Sequence, residues 1–307
     1  MKLDLVVWPE TMVPGTVNRE FLEHDPAALD EWLGEHQERS RGFWEEIVEE
    51  AKRVQAPILF GGHASQLGRD RAGDLRFVSP QNTAFLVSPA SKPYAADHTY
   101  SKVHLVPFGE YVPFKKSWPW LYDLLRGFTP YDFDYSLTPG EHDQAPFLLR
   151  YDGGLEARFQ VAICYEDAMA YRIREMVRPT DPSRSKAVDF IVNISNDGWF
   201  NGSIELDQHL NLCVFRAVEN RVAVVRSVNT GISALIAPDG RIESYVQQDG
   251  RRRNVKGRIV GRLTLDDRAA PYTRVGDVFA LACLVAAAGL AAATILKGRE
   301  RRKGDVS

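Results

Sequence analysis

The chain has 307 residues, of which 44% are hydrophobic and 26% charged, with a formal net charge of -3. That is enough to bury a full core, and it excludes a disordered chain, a collagen-like repeat and a polytopic membrane protein. No basic excess offers a nucleic-acid footprint, and three widely spaced cysteines exclude a disulfide framework or a CxxC-type metal site.

Taken in chain order, short apolar runs alternate with helical patterns. LDLVVW at 3–8 has the composition of a buried strand. RGFWEEIVEEAKRV at 41–54 places Phe43, Trp44, Ile47, Val48, Ala51 and Val54 on one helical face. PILFGG at 57–62 and NTAFLVSP at 82–89 are strands that end in turns. FQVAICYE at 159–166 and VDFIVNIS at 188–195 are buried strands, and 206–220 is a helix. VAVVRSV at 222–228, ISALIAP at 232–238 and GRIVGRLTL at 257–265 are predicted strands. This order argues for an α/β or layered α+β fold.

Two segments depart from that pattern. Residues 107–135 hold ten of the chain's 32 aromatic residues, together with Pro107, Pro113, Pro119 and Pro130. The prolines disfavour one long regular element, and rings mixed with Lys115, Lys116 and Arg126 suit a membrane-interface surface better than a core plug. Residues 278–296 contain no charged residue, and nineteen helical residues rise about 28 Å, close to the hydrocarbon thickness of a bilayer. A core helix of this length usually carries polar residues, so the segment is predicted to span a membrane. Five basic residues follow it (Lys297, Arg299, Arg301, Arg302, Lys303), which orients the tail to the cytoplasm and the large N-terminal portion outside. MKLDLVVWPE has no basic region followed by an apolar one, so no signal peptide explains that export.

Three residues could carry chemistry. Cys164 follows the apolar run FQVAI, and a cysteine at a strand end can hold its sulfur beside unpaired backbone N–H groups. Glu10 closes VVWPE at a strand terminus, where α/β sites form. Lys102 lies between a strand and the aromatic segment. Taken singly, each also fits a buried thiol, a solvated carboxylate or a surface lysine. The seven histidines form no metal-ligand spacing, and no Gly-rich phosphate loop is present, so neither metal nor cofactor is expected.

Taken together, VVWPE, YSKVHLVPFGE, a strand ending CYE, and NISNDGWF resemble the nitrilase, or carbon–nitrogen hydrolase, superfamily. Within it, YSKVHLVPFGEYVPF, CYED and the stretch from SNDGWF to IAPDG resemble bacterial apolipoprotein N-acyltransferases. The resemblance covers about residues 3–297. It implies a nitrilase-type α-β-β-α sandwich over residues 1–270, a transmembrane helix at 277–296 and a basic cytoplasmic tail at 297–307. It implies Glu10 as general base, Lys102 as the oxyanion-stabilising cation and Cys164 as nucleophile. Glu110 and Glu166 match supporting carboxylates, Tyr165 supplies a backbone N–H to the oxyanion, and Trp199 matches a substrate-loop position.

The function implied is transfer of a fatty acyl chain from a phospholipid, through a cysteine thioester, to the N-terminal diacylglyceryl-cysteine of a lipoprotein. The setting implied is the bacterial inner membrane with the catalytic domain on the periplasmic side. Two alternatives stand beside it: a hydrolase of small amides, and an inactive membrane-associated fragment. Family members carry several membrane helices ahead of the catalytic domain, and a strand and helix before the VVWPE strand. Their absence here points to a miscalled start, a truncated gene or a partner that encodes the membrane helices separately.

Overall fold

A computed structural model describes residues 2–70, 72–129, 134–151 and 154–304, without the side chains of 296–304. Ten strands are β1 (Val6–Val7), β2 (Ile58–Arg69), β3 (Leu75–Val87), β4 (His98–Ser101), β5 (Phe147–Arg150), β6 (Glu156–Ile163), β7 (Phe190–Asn196), β8 (Ala223–Asn229), β9 (Ala234–Ile236) and β10 (Ile242–Tyr245). Seven helices are α1 (Arg19–Leu22), α2 (Glu31–Val54), α3 (Pro119–Arg126), α4 (Ala170–Val177), α5 (Glu205–Asn220), α6 (Pro271–Val275) and α7 (Val278–Gly304). The strands form two sheets, one ordered β1-β2-β3-β4 and the other β10-β9-β8-β7-β6-β5.

The two-residue period of a strand sorts side chains into layers. On β2 and β3, Ile58, Phe60, Phe85 and Val87 point to one face and pack with Leu33, Trp44 and Ile47 of α2. Leu59, Ala84 and Leu86 point to the other face and join the core of the larger sheet, with Phe159, Val161 and Val192. That core continues to Ile173 and Met176 of α4 and to Leu210 and Ala217 of α5. The result is the expected α-β-β-α sandwich. Each fully buried Leu, Ile or Phe contributes about 1.5–3 kcal/mol relative to leaving it in water.

Several elements differ from expectation. The first strand is ordered over Val6–Val7 alone, and β1 pairs in parallel with β2. The β2–β3 hairpin runs well past its apolar half, because pairing persists through the polar stretch from Ala64 to Arg69. The aromatic segment contains the helix α3, which starts with Pro119 at its first turn, a position that tolerates a missing N–H. Of that segment, Pro130, Tyr131 and Phe133 lie outside the described residues. The predicted strand at 257–265 is not formed; β10 takes the sheet edge instead. There Gly257 and Gly261 press against Val246 and Leu235, where a Cβ would come within 2.5 Å of each side chain.

The C-terminal helix is joined to the sandwich through α6. The Arg174 guanidinium donates to the carbonyls of Tyr272 and Arg274 at 3.0 Å each. The buried Thr273 hydroxyl donates to Asn220 Oδ1 at 3.0 Å. Gly276 follows with φ 64°, and Arg174 leaves no space for a side chain there. Helix α7 then contains an 18-residue window, Val278–Ile295, of mean hydropathy 2.4 that is not buried among the described residues. Among the described residues it is the one helix long and apolar enough to cross a membrane.

One glycine fixes the approach of the first strand. A Cβ on Gly61 would sit 2.7 Å from both Glu10 Cα and Thr11 N, backbone atoms that cannot rotate away. Gly61→Ala is expected to displace the Glu10 backbone and lower stability by about 1–3 kcal/mol. Thermal unfolding together with the alkylation rate of Cys164 checks this, and both values should fall.

Candidate active site

The site lies where β1, β4, β6 and β7 end. Glu10 is three residues past Val7 and is 5% exposed. Its Oε1 accepts from Asn82 Nδ2 at 2.6 Å, and its Oε2 accepts from the Asn196 backbone N–H at 2.7 Å. Lys102 follows β4 and its side chain has no exposed surface. Its Nζ donates to Glu110 Oε1 at 2.7 Å and lies 4.0 Å from Glu10 Oε1. Glu110 Oε2 accepts from the Val106 N–H at 2.8 Å, so this carboxylate folds the start of the aromatic segment back onto the lysine.

Cys164 directly follows β6 and opens a 3₁₀ turn, Cys164–Ala168. It is a non-glycine residue at φ 52°, a left-handed conformation costing about 1–2 kcal/mol. That bend is the elbow that turns the sulfur off the strand. The opening N–H groups of such a turn, that of Tyr165 among them, have no partner within it. Glu166, fully buried, accepts from the N–H groups of Val103 (2.9 Å), His104 (3.1 Å) and Ile163 (2.8 Å), and from the Tyr100 hydroxyl (2.8 Å). It therefore rivets the lysine loop to the cysteine turn. Trp199 is 80% exposed, so core packing does not account for it. The Tyr165 side chain is also exposed, near the His104 ring.

Burial, followed by the Glu10 carboxylate, pushes the Cys164 thiol up to about 12, against the opposing pull of Lys102. Burial likewise raises the Glu10 carboxyl, opposed by Lys102, Asn82 and Asn196. Burial pulls the Lys102 ammonium down, but Cys164, Glu10 and Glu110 outweigh it and hold the group above its ordinary value. The resting arrangement is a protonated thiol, a strengthened base and a fixed cation. Proton transfer from Cys164 to Glu10 would place a thiolate beside Lys102, which the cation stabilises.

Sequence reasoning passed over the layer beneath. Asn82 on β3 orients Glu10 through its side chain and Lys102 through its backbone carbonyl, which accepts the Lys102 N–H at 2.8 Å. Deeper still, His209 of α5 bridges Asp197 (2.9 Å) and Asp167 (3.0 Å). Arg226 of β8, fully buried, donates to Asp197 at 2.8 Å and to Asp167 at 3.3 Å. A charged residue inside the apolar run VAVVRSV was the available signal, since a buried arginine requires partners. No group of three or more potential metal ligands occurs among the described residues.

These elements, with a carboxylate, a lysine and a cysteine at the ends of strands in a four-layer sandwich, match a known family. The carbon–nitrogen hydrolase family matches residues 1–252, and the chain belongs to it. Three similar proteins are apolipoprotein N-acyltransferases. That of Geobacter metallireducens is 32% identical over 94% of this chain and 45% of its own length. Apolipoprotein N-acyltransferase 1 of Treponema pallidum is 31% identical over 80% of this chain and 40% of its own. That of Nitrosomonas europaea is 31% identical over 85% and 52%. The chain thus spans about half the length of the relatives it matches.

Two outcomes are expected. Asn82→Leu removes a donor from Glu10, raises that carboxyl further and shifts the acid limb of the pH–rate profile upward, with a loss of about tenfold below the limb. Steady-state rates across pH check it. The second concerns His209. Burial and Arg226 lower its basicity, but Asp167 and Asp197 raise it more, to about 9 from 6.5. A raised histidine contributes stability that is complete below pH 6.5 and lost as pH climbs through about 9, on the order of 3 kcal/mol. Thermal midpoints should fall over that window in the native chain and change less in His209→Gln.

Proposed function

We propose that the chain is the catalytic portion of an apolipoprotein N-acyltransferase. The observation that carries this reading is the Glu10–Lys102–Cys164 constellation in a chain whose segment following Lys102 and Glu110 exposes a run of aromatic rings. Trp118, Trp120 and Phe128 are 49%, 61% and 82% exposed. Rings with that exposure suit a lipid surface and would be a liability beside a small soluble amide. The similarity to the named acyltransferases supports the same reading.

The chemistry divides into two half-reactions. Glu10 takes the Cys164 proton, and the thiolate attacks an ester carbonyl of a phospholipid. Negative charge collects on the carbonyl oxygen, where Lys102 and the Tyr165 N–H hold it; one such donor is commonly worth about 3–4 kcal/mol. Collapse expels the lysophospholipid alkoxide, which takes the proton from Glu10 and leaves an acyl thioester. The α-amine of a diacylglyceryl-cysteine then attacks, Glu10 takes the amine proton, and the thiolate departs with the amide formed. Glu110 holds Lys102, Glu166 holds the cysteine turn, and Trp199 borders the entry for the acceptor.

Residues 1–270 form the catalytic domain in this reading, and the helix at 277–296 spans the bacterial inner membrane. The catalytic domain faces the periplasm and the basic tail at 297–307 the cytoplasm. A separately encoded set of membrane helices is a further partner.

The test is capture of a labelled acyl group. Phospholipid vesicles carrying a labelled chain should transfer label to the native protein, in a bond that hydroxylamine cleaves. Cys164→Ala should capture none. Equal labelling of both proteins, or turnover of small amides without lipid, overturns the proposal.

A further inference from the structure

The hydroxyl of Ser195 is used by nothing described so far. Ser195 is fully buried near the end of β7. The parallel register of β6 and β7 pairs Ile163 with Ile194, so the next residue on each strand path sets Ser195 beside Cys164. The Ser195 hydroxyl donates to Asp197 Oδ1 at 2.7 Å, from a residue that this register makes the neighbour of Cys164. A serine has one proton to donate, so it cannot serve both groups at once.

Asp197 can spare that proton. His209 Nδ1 donates to the same oxygen at 2.9 Å, and Arg226 Nη2 donates to the other at 2.8 Å. Both carboxylate oxygens therefore keep a cationic donor when the serine turns away. The Cys164 thiolate has no such surplus. Around it stand Glu10 from the end of β1, Lys102 after β4 with Glu110 behind it, and Asp167 in its own turn. Three of those four are carboxylates, and the lysine is shared with two of them.

We propose that Ser195 is a catalytic residue whose hydroxyl turns from Asp197 to the Cys164 sulfur as the thiolate forms. Atoms balance: the Cys164 proton goes to Glu10, and Ser195 keeps its own. Once the sulfur is acylated and neutral, the hydroxyl returns to Asp197. Asp197 is the positioning residue that parks the hydroxyl, with Arg226 and His209 holding it. The inference rests on Cys164 as the nucleophile and holds whether the acyl group passes to an amine or to water.

The experiment follows iodoacetamide alkylation of the full chain in detergent from pH 7 to 10, reading the Cys164 peptide by mass spectrometry. This needs no acyl transfer, so a protein that alkylates normally yet captures no lipid defeats the proposed function and leaves this inference standing. Ser195→Ala should alkylate about tenfold more slowly at each pH below the thiol midpoint, the loss of one charge-assisted donor. Ser195→Thr should restore most of the rate. A Ser195→Ala profile superimposed on the native one overturns the proposal. Should the alanine chain fail to fold, Ser195→Thr and Ser195→Val fill the same volume and differ by the hydroxyl alone. A faster threonine variant supports the proposal, and equal rates overturn it.

Discussion

The site depends on a lysine ammonium held out of water. Lys102 has no exposed side-chain surface, and a lone buried ammonium would lose its proton instead of keeping its charge. Glu110 at 2.7 Å and Glu10 at 4.0 Å keep it charged. Each of those carboxylates must in turn be held. Glu110 is tied to the Val106 N–H, and Glu10 to Asn82 and Asn196. The demand for partners thus spreads outward from one cation until it reaches strands of both sheets. The sandwich supplies what a loop could not: strand ends that stay where packing puts them.

A second charged layer sits below the nucleophile. Asp167 and Asp197 face Arg226 and His209 with little water, an arrangement that costs desolvation and gives weak net stability. Its return is geometric. Asp167 belongs to the turn that begins with Cys164, and Asp197 to the turn that carries Trp199. The imidazole between them couples two loops that are 30 residues apart in sequence. Replacing the cluster by apolar residues could leave the fold intact while releasing those loops from one another.

How much of this was legible depended on how each residue is marked in the chain. Glu10 and Cys164 stand at the ends of apolar runs and Lys102 inside YSKVHLVPFGE, and it was the resemblance of these strings to a known family that joined the three. Glu110 and Glu166 travel with those strings. Ser195 and Asp197 lie inside NISNDGWF and Arg226 inside VAVVRSV, but Asn82 and His209 come from separate elements, and nothing local distinguishes a buried asparagine from a turn asparagine. The segment 257–265 alternates apolar and polar residues as a strand would, yet alternation cannot say whether an edge is free to pair with. The polar half of the β2–β3 hairpin fails in the opposite sense, since backbone pairing needs no apolar face. The long apolar helix was plain from length and charge alone.

The junction at Gly276 has a mechanical consequence. Two residues, Gly276 and Asp277, separate the docked α6 from the start of α7, and two residues reach at most about 7 Å. That is a stub and not a leash. A domain on a long flexible linker would sample a wide arc above any surface its anchor entered. Here Arg174, Thr273 and Asn220 clamp the last turn before the stub, so the pitch of the sandwich is set by the clamp. The cysteine turn would then stand at a nearly constant height over whatever plane α7 enters, and its substrates would have to travel to it within that plane.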